Sequence, residues 1–152
     1  MRIVIAAVGK FRHGPERQLY DSYIERLSWP VTLVEVELRG RLPDARRKAA
    51  EAEKLLGAVT EGATLIALDE HGSELTSQAF ATRIGRWRDD GVRDLAFAIG
   101  GADGLDRSVL DRADLALALG RLTWPHMMAR AMLAEQLYRA STILSGHPYH
   151  RD

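Results

Sequence analysis

Not one of the 152 residues is a cysteine, which excludes disulfides, thiolate metal sites and cysteine nucleophiles together and suits a reducing cytoplasm. Long apolar runs are missing too. The opening Met1-Arg2-Ile3-Val4-Ile5-Ala6-Ala7-Val8-Gly9 is too short to span a membrane and begins a strand more naturally than a signal peptide. Neither sign of charge is in excess, since 21 basic residues balance 21 acidic ones, and this weighs against tight free-standing binding of nucleic acid. No Gly-Lys-Ser/Thr follows a glycine loop, so a phosphate loop is excluded. Gly100-Gly101-Ala102-Asp103-Gly104 also lacks the spacing of a dinucleotide fingerprint, which disfavours a nicotinamide oxidoreductase. What is left, 46% apolar and 28% charged residues, is the make-up of an ordinary globular domain.

Five short apolar runs alternate with helical patterns: Ile3–Val8, Val31–Leu38, Thr64–Leu68, Leu95–Ile99 and Leu115–Leu119. Four are nearly continuous, as parallel strands covered on both faces must be. Thr32, Glu35 and Glu37 interrupt Val31–Leu38 and place it towards a sheet edge. Leu19, Tyr23 and Leu27 recur at helical spacing between Pro15 and Pro30. Asp44 is in position to cap a second helix carrying Ala45, Ala49, Ala52 and Leu56. Phe80, Ile84 and Trp87 mark a third, closed by Gly91. The last helix, from about Pro125 to Leu144, is apolar on more than one side, which calls for burial by the core and by a second subunit. The pattern predicts an α/β fold, residues 1–152 as one domain, with a mostly parallel sheet and helices on both faces.

Ligands of such sheets collect beyond the carboxyl ends of the strands. Three loops there are unusual: Leu68-Asp69-Glu70-His71-Gly72, the glycine loop after Ile99, and Leu119-Gly120-Arg121-Leu122-Thr123-Trp124-Pro125-His126. Glycines let a backbone approach a flat ligand closely, although Gly100 and Gly101 by themselves mark only a tight strand-to-helix turn. The tail packs His147, Pro148, Tyr149, His150 and Arg151 together, an odd composition for a frayed terminus. His147 and His150 have no obvious partner ligands, so no metal site is expected.

The ordered set Leu68-Asp69, Ile99-Gly100-Gly101 with Gly104, Leu122-Thr123-Trp124-Pro125-His126, Arg130, Ala134-Glu135-Gln136-Leu137-Tyr138-Arg139-Ala140 and His147-Pro148-Tyr149-His150-Arg151 resembles the bacterial large-subunit ribosomal RNA methyltransferase H family. That family belongs to the SPOUT class, and the likeness spans essentially the whole chain. It implies a C-terminal trefoil knot and a homodimer. It also implies transfer of methyl from S-adenosylmethionine to N3 of a pseudouridine in the helix 69 loop of 23S rRNA. The implied cofactor positions are Leu68, Gly100, Leu119, Gly120, Arg121, Leu122, Thr123 and Trp124. Ala102-Asp103 departs from the proline and glutamate frequent there, and an altered rigidity of the loop is expected.

A transferred methyl leaves the protein three tasks: to bind, to orient and to exclude water. The base nitrogen must also lose its proton. His126 and His150 are the candidate proton acceptors, Tyr149 a stacking or hydrogen-bonding surface for the base, and Arg151, with Arg130 if it faces the cleft, a partner for developing negative charge or a phosphate. Helix-start packing beside Pro125 is an equally good account of His126. The neutral charge leads us to expect action on the assembled ribosome rather than on free RNA. Two other readings remain: a related methyltransferase acting on another rRNA or tRNA site, and a non-catalytic ribosome- or nucleotide-binding module.

Overall fold

Side-chain size divides the two faces of the sheet. On strands β1 (Arg2–Val8) and β4 (Asp94–Ile99), Ile3, Ile5, Leu95, Phe97 and Ile99 point to one side, and the smaller Ala6, Ala96 and Ala98 to the other. The bulky face is covered by α1 (Pro15–Ile24), α3 (Ser77–Asp89) and α5 (His126–Ser145), which bury Tyr20, Phe80, Ile84, Leu133 and Leu137 against it. The alanine face takes α2 (Asp44–Gly57) and α4 (Arg107–Arg112) through Ala52, Leu55 and Val109. With β2 (Val31–Val36), β3 (Thr64–Glu74) and β5 (Leu115–Ala118), the sheet runs in the order β2-β1-β4-β3-β5, every ladder parallel. This computed structural model describes residues 1–151. Asp152, the end of the tail, lies outside the described residues. No helix among them is long and apolar enough to cross a membrane.

The expected edge position of the polar-interrupted strand is found, since β2 is outermost next to β1. Gly91 ends α3 as expected. It adopts φ +85°, with Val92 N–H reaching Trp87 O at 2.9 Å and Gly91 N–H reaching Arg88 O at 3.1 Å. Other boundaries differ. Helix α1 stops at Ile24, so Leu27 packs from the turn beyond it. Pro43 occupies the cap position of α2, and Asp44 is its first residue, making no cap bond and pairing with Arg47 instead. Helix α4 was not anticipated. Its signal was Asp106, whose side chain caps it by accepting from Ser108 N at 2.9 Å.

The largest correction concerns Leu68-Asp69-Glu70-His71-Gly72, expected as a loop. It belongs to β3, which continues to Glu74. Leu68 and Ser73 both stand opposite Leu117, so residues 69–72 are looped out of the ladder. Gly72 makes this possible, because a Cβ there would stand 2.6 Å from the Ala116 carbonyl carbon. The bulge turns Asp69 and Glu70 towards the carboxyl edge of the sheet.

Candidate active site

A cleft of about 580 Å³ opens where β3, β4 and β5 end, lined by Leu68, Asp69, Glu70, the glycine loop, Leu119, Gly120, Leu122, Thr123, Trp124 and His126. Its volume is that of a site for a small organic ligand. Gly100, Gly101, Gly104 and Gly120 present bare main chain to it, with Leu68, Leu119 and Leu122 as apolar surface. The glycine loop folds on itself: Gly104 N–H bonds Gly101 O at 3.1 Å, and a Cβ on Gly100 would fall 2.6 Å from Gly104 main-chain atoms. Across the cleft, the segment between β5 and α5 is pinned from two sides. Thr123 Oγ1 donates to Glu70 Oε2 at 2.7 Å, and Trp124 Nε1 donates to Leu119 O at 3.0 Å. Arg121 leans away, paired with Glu74 at 2.8 Å and outside the cleft lining.

His126 opens α5 at the rim of the cleft. Burial lowers its pKa below the ordinary histidine value, and the nearby Arg130 cation pushes the same way. Arg130 is fully buried one turn further on. Its Nη2 donates to Val8 O at 2.6 Å and Gly9 O at 2.9 Å, fastening the end of β1 to the start of α5, and its guanidinium lies 5.0 Å from the Phe11 ring. Nε and Nη1 have no partner among the described residues. Arg130 is absent from the lining and so does not face the cleft to meet a substrate's charge; its bonds go to the backbone beneath the rim.

Residues 1–150 match the family described as "Predicted SPOUT methyltransferase". A curated relative from Rhodospirillum centenum, named Ribosomal RNA large subunit methyltransferase H, is 58% identical over 99% of both chains. Relatives of the same name from Paramagnetospirillum magneticum and Brucella anthropi are 56% and 53% identical over 99% of each chain. The chain belongs to the ribosomal RNA large subunit methyltransferase H family of SPOUT methyltransferases.

Solved structures share the fold at low identity. A probable methylase family protein from Haemophilus influenzae superimposes with a TM-score of 0.62 at 12% identity, over 99% of this chain and 70% of that one. A SpoU methyltransferase from Streptomyces viridochromogenes, solved with AdoMet, gives 0.50 at 14% identity over 92% and 58%.

Seven of the eight positions that family likeness implies for the cofactor line one cleft: Leu68, Gly100, Leu119, Gly120, Leu122, Thr123 and Trp124. Arg121, the eighth, is 90% exposed at its side chain and turned to Glu74. Asp69, Glu70 and Asp103 line the cleft as well, and sequence reasoning did not select them. Asp69 stands in the Leu68-Asp69 motif itself, and the signal for Glu70 and Asp103 was adjacency to motif positions. Asp103 is held from outside by Arg47 of α2 at 2.5 Å, a pairing across 56 residues that no local pattern encodes.

Of the four candidate catalytic residues, only His126 lines the cleft of its own chain. The tail turns at Gly146 and lies over α1 and α5. Tyr149 OH donates to Glu135 Oε1 at 3.1 Å and is 3.4 Å from Tyr23 OH, while its ring packs 4.8 Å from Tyr138. Burial raises the Tyr149 pKa, and the bonds to Tyr23 and Glu135 add to it. Arg139 reaches His150 Nδ1 at 3.2 Å and pairs with Glu135 at 2.5 Å. Arg151 is exposed. Tyr23 and Glu135 also line a second, apolar groove along α5, which meets the first cleft at Leu117, Leu119 and Gly120.

Proposed function

We propose that this chain methylates N3 of a pseudouridine in the helix 69 loop of 23S rRNA, using S-adenosylmethionine and acting in the cytoplasm on the assembled ribosome. The observation that carries this reading is the gathering of Leu68, Gly100, Leu119, Gly120, Leu122, Thr123 and Trp124 around one cleft in a chain 58% identical, end to end, to a named large-subunit rRNA methyltransferase. Bound there, S-adenosylmethionine supplies an electrophilic methyl on a sulfonium. The residues present fit such a group, with bare main chain for a flat ring, leucines for an apolar body, and the Asp69 and Glu70 carboxylates beside them for positive charge.

The remaining chemistry belongs to the protein. His126, kept neutral by burial, accepts the proton that the base nitrogen must lose. Tyr149, His150 and Arg151 contact the target base and its phosphate, and the tail of a partner subunit brings them to the cleft. A homodimer through α5 supports this arrangement: Leu19 and Met128, 49% and 39% exposed, border the apolar groove that joins the cleft. The return of α5 from the edge strand β5 to pack with α1 and α3 supports a C-terminal knot.

Transfer of radiolabelled methyl to intact ribosomes, free 23S rRNA and bulk tRNA, with mass mapping of the product, tests the reading. Label on a helix 69 pseudouridine, in ribosomes only, is the expected outcome; label on tRNA or at another rRNA position would reassign the substrate. His150→Ala is expected to leave cofactor affinity within about twofold and to lower transfer by about 100-fold, the usual loss when a reacting base is misplaced by about an ångström.

A further inference from the structure

Because every strand is parallel, the loops after β1 and β2 emerge on the same edge as the cleft. Sheet order sets them side by side, just beyond the glycine loop that follows β4. Their composition is one-sided. Lys10 and Arg12 follow β1, Arg39 and Arg41 follow β2, and Arg46 lies in the first turn of α2. All five are exposed, and no hydrogen bond, ion pair or ring contact engages any of them among the described residues. The nearby carboxylates are largely committed: Glu35 accepts from Phe11 N at 2.5 Å, and Arg47 takes both Asp44 and Asp103. Glu16, Glu37 and Glu51, the last beside Gly101 at the rim of the cleft, are left against five cations.

Further along the edge stand the carboxylates of Asp69 and Glu70 on β3, Glu74 being paired with Arg121. The net charge of zero therefore conceals an uneven distribution of charge along the edge that holds the cleft. The other arginine group, Arg83, Arg86, Arg88 and Arg93, follows α3 towards the amino ends of the strands, on the far edge.

This surface is also held in place. The β1 loop is fixed by the buried Phe11, by Arg17 Nη1 donating to Phe11 O at 3.2 Å, and by Arg130 on Gly9 O. The start of α2 is tied to the rim of the cleft itself by Arg47–Asp103. Helices α1 and α2 both begin here with no side-chain cap, leaving first-turn N–H groups that favour an anion.

Resting on the rRNA-methyltransferase reading, we propose that Lys10, Arg12, Arg39, Arg41 and Arg46 form the docking surface for the phosphate backbone of the substrate RNA, delivering the target base across the glycine loop into the cleft. Five unpaired cations, contiguous with the cleft and flanked by the fastened β1 loop and start of α2, are what a polyanion requires; an acidic ribosomal protein is the alternative occupant.

The test compares the unsubstituted chain with Arg39→Ala/Arg41→Ala/Arg46→Ala and with Lys10→Ala/Arg12→Ala, using ribosomes as substrate. Both variants are expected to raise KM for ribosomes by about tenfold or more, with kcat and S-adenosylmethionine affinity unchanged. The plot of log KM against log salt is expected to lose about 0.7 in slope for each phosphate contact removed. Cosedimentation with ribosomes, read without cofactor, is expected to fall in parallel, as is binding to a protein-free helix 69 RNA at low salt. Unchanged KM and salt slope in both variants would overturn the proposal. Weaker ribosome binding with unaltered binding to naked RNA would also overturn it, in favour of the protein partner. An unsubstituted chain that binds RNA through these residues but transfers no methyl would keep the surface and overturn the reaction.

Discussion

His126 is where burial and chemistry meet most directly. Its lowered pKa has two causes with one sign: poor solvation of the imidazolium at the start of α5 and repulsion from Arg130. The folded chain therefore holds this proton less tightly than the unfolded chain does. The contribution to stability is complete above about pH 6.5, the unfolded value, and is lost as pH falls through the lowered folded value. For transfer, the acid limb of kcat/KM is expected below the ordinary histidine range, and His126→Asn is expected to remove that limb; a limb that survives the substitution would assign the base elsewhere. Gly100 makes a different residue-scale demand. An alanine Cβ there meets Gly104 main chain at 2.6 Å, and neither strand end nor loop has a flexible side chain to give way. Gly100→Ala is expected to weaken S-adenosylmethionine binding by about tenfold or more, equivalent to the roughly 1–3 kcal/mol that overpacking costs. Isothermal titration would read the loss directly.

Among the elements, the extension of β3 and the segment after β5 depend on each other. The bulge at residues 69–72 exposes Glu70, and Thr123 donates to it across the cleft. One such bond contributes about 1.5–3 kcal/mol when its acceptor is charged, less where water competes as it does here. Glu70→Ala is therefore expected to raise KM for the cofactor severalfold while thermal stability falls by no more than a few degrees; a shift in melting temperature without a change in KM would make the bond structural only. At the other end of α5, the Schellman turn at Gly146 reverses the chain. His147 N–H bonds Thr142 O at 2.9 Å, and Tyr149 is thereby brought onto Tyr138, Tyr23 and Glu135. Arg26 adds to this cluster, its guanidinium 4.4 Å from the Tyr138 ring.

At the scale of the molecule, the apolar groove beside α5 is the surface through which the proposed dimer forms. Leu19 and Met128 stand exposed on either side of it, and Met132 lies within it. Leu19→Glu/Met128→Glu is expected to yield a monomer by analytical ultracentrifugation, with cofactor binding retained and methyl transfer lost. A monomer that transfers methyl at the original rate would show that one chain completes the site without a partner's tail.

Strand positions, the edge placement of β2 and the cap at Gly91 were legible because each depends on local chemistry: run length, alternation, a left-handed glycine. Long-range pairings were not. Thr123 finds Glu70 across 53 residues, Arg47 finds Asp103 across 56, and Arg130 finds Val8 across 122. No periodicity records which distant partner a side chain will meet. The tail shows the division most clearly. Its composition alone identified Tyr149, His150 and Arg151 as more than a frayed end, yet only the tertiary structure decided that Tyr149 lies on α1 and α5, that His150 meets Arg139 of α5 and that none of the three lines the cleft of their own chain. The amino-acid sequence by itself determined the family, the layers of the fold and the chemistry available at the sheet's carboxyl edge, because those follow from the order of residues along the chain. Where the charges separate, which loops are fastened and what the tail touches follow from the order of strands across the sheet, which only folding sets.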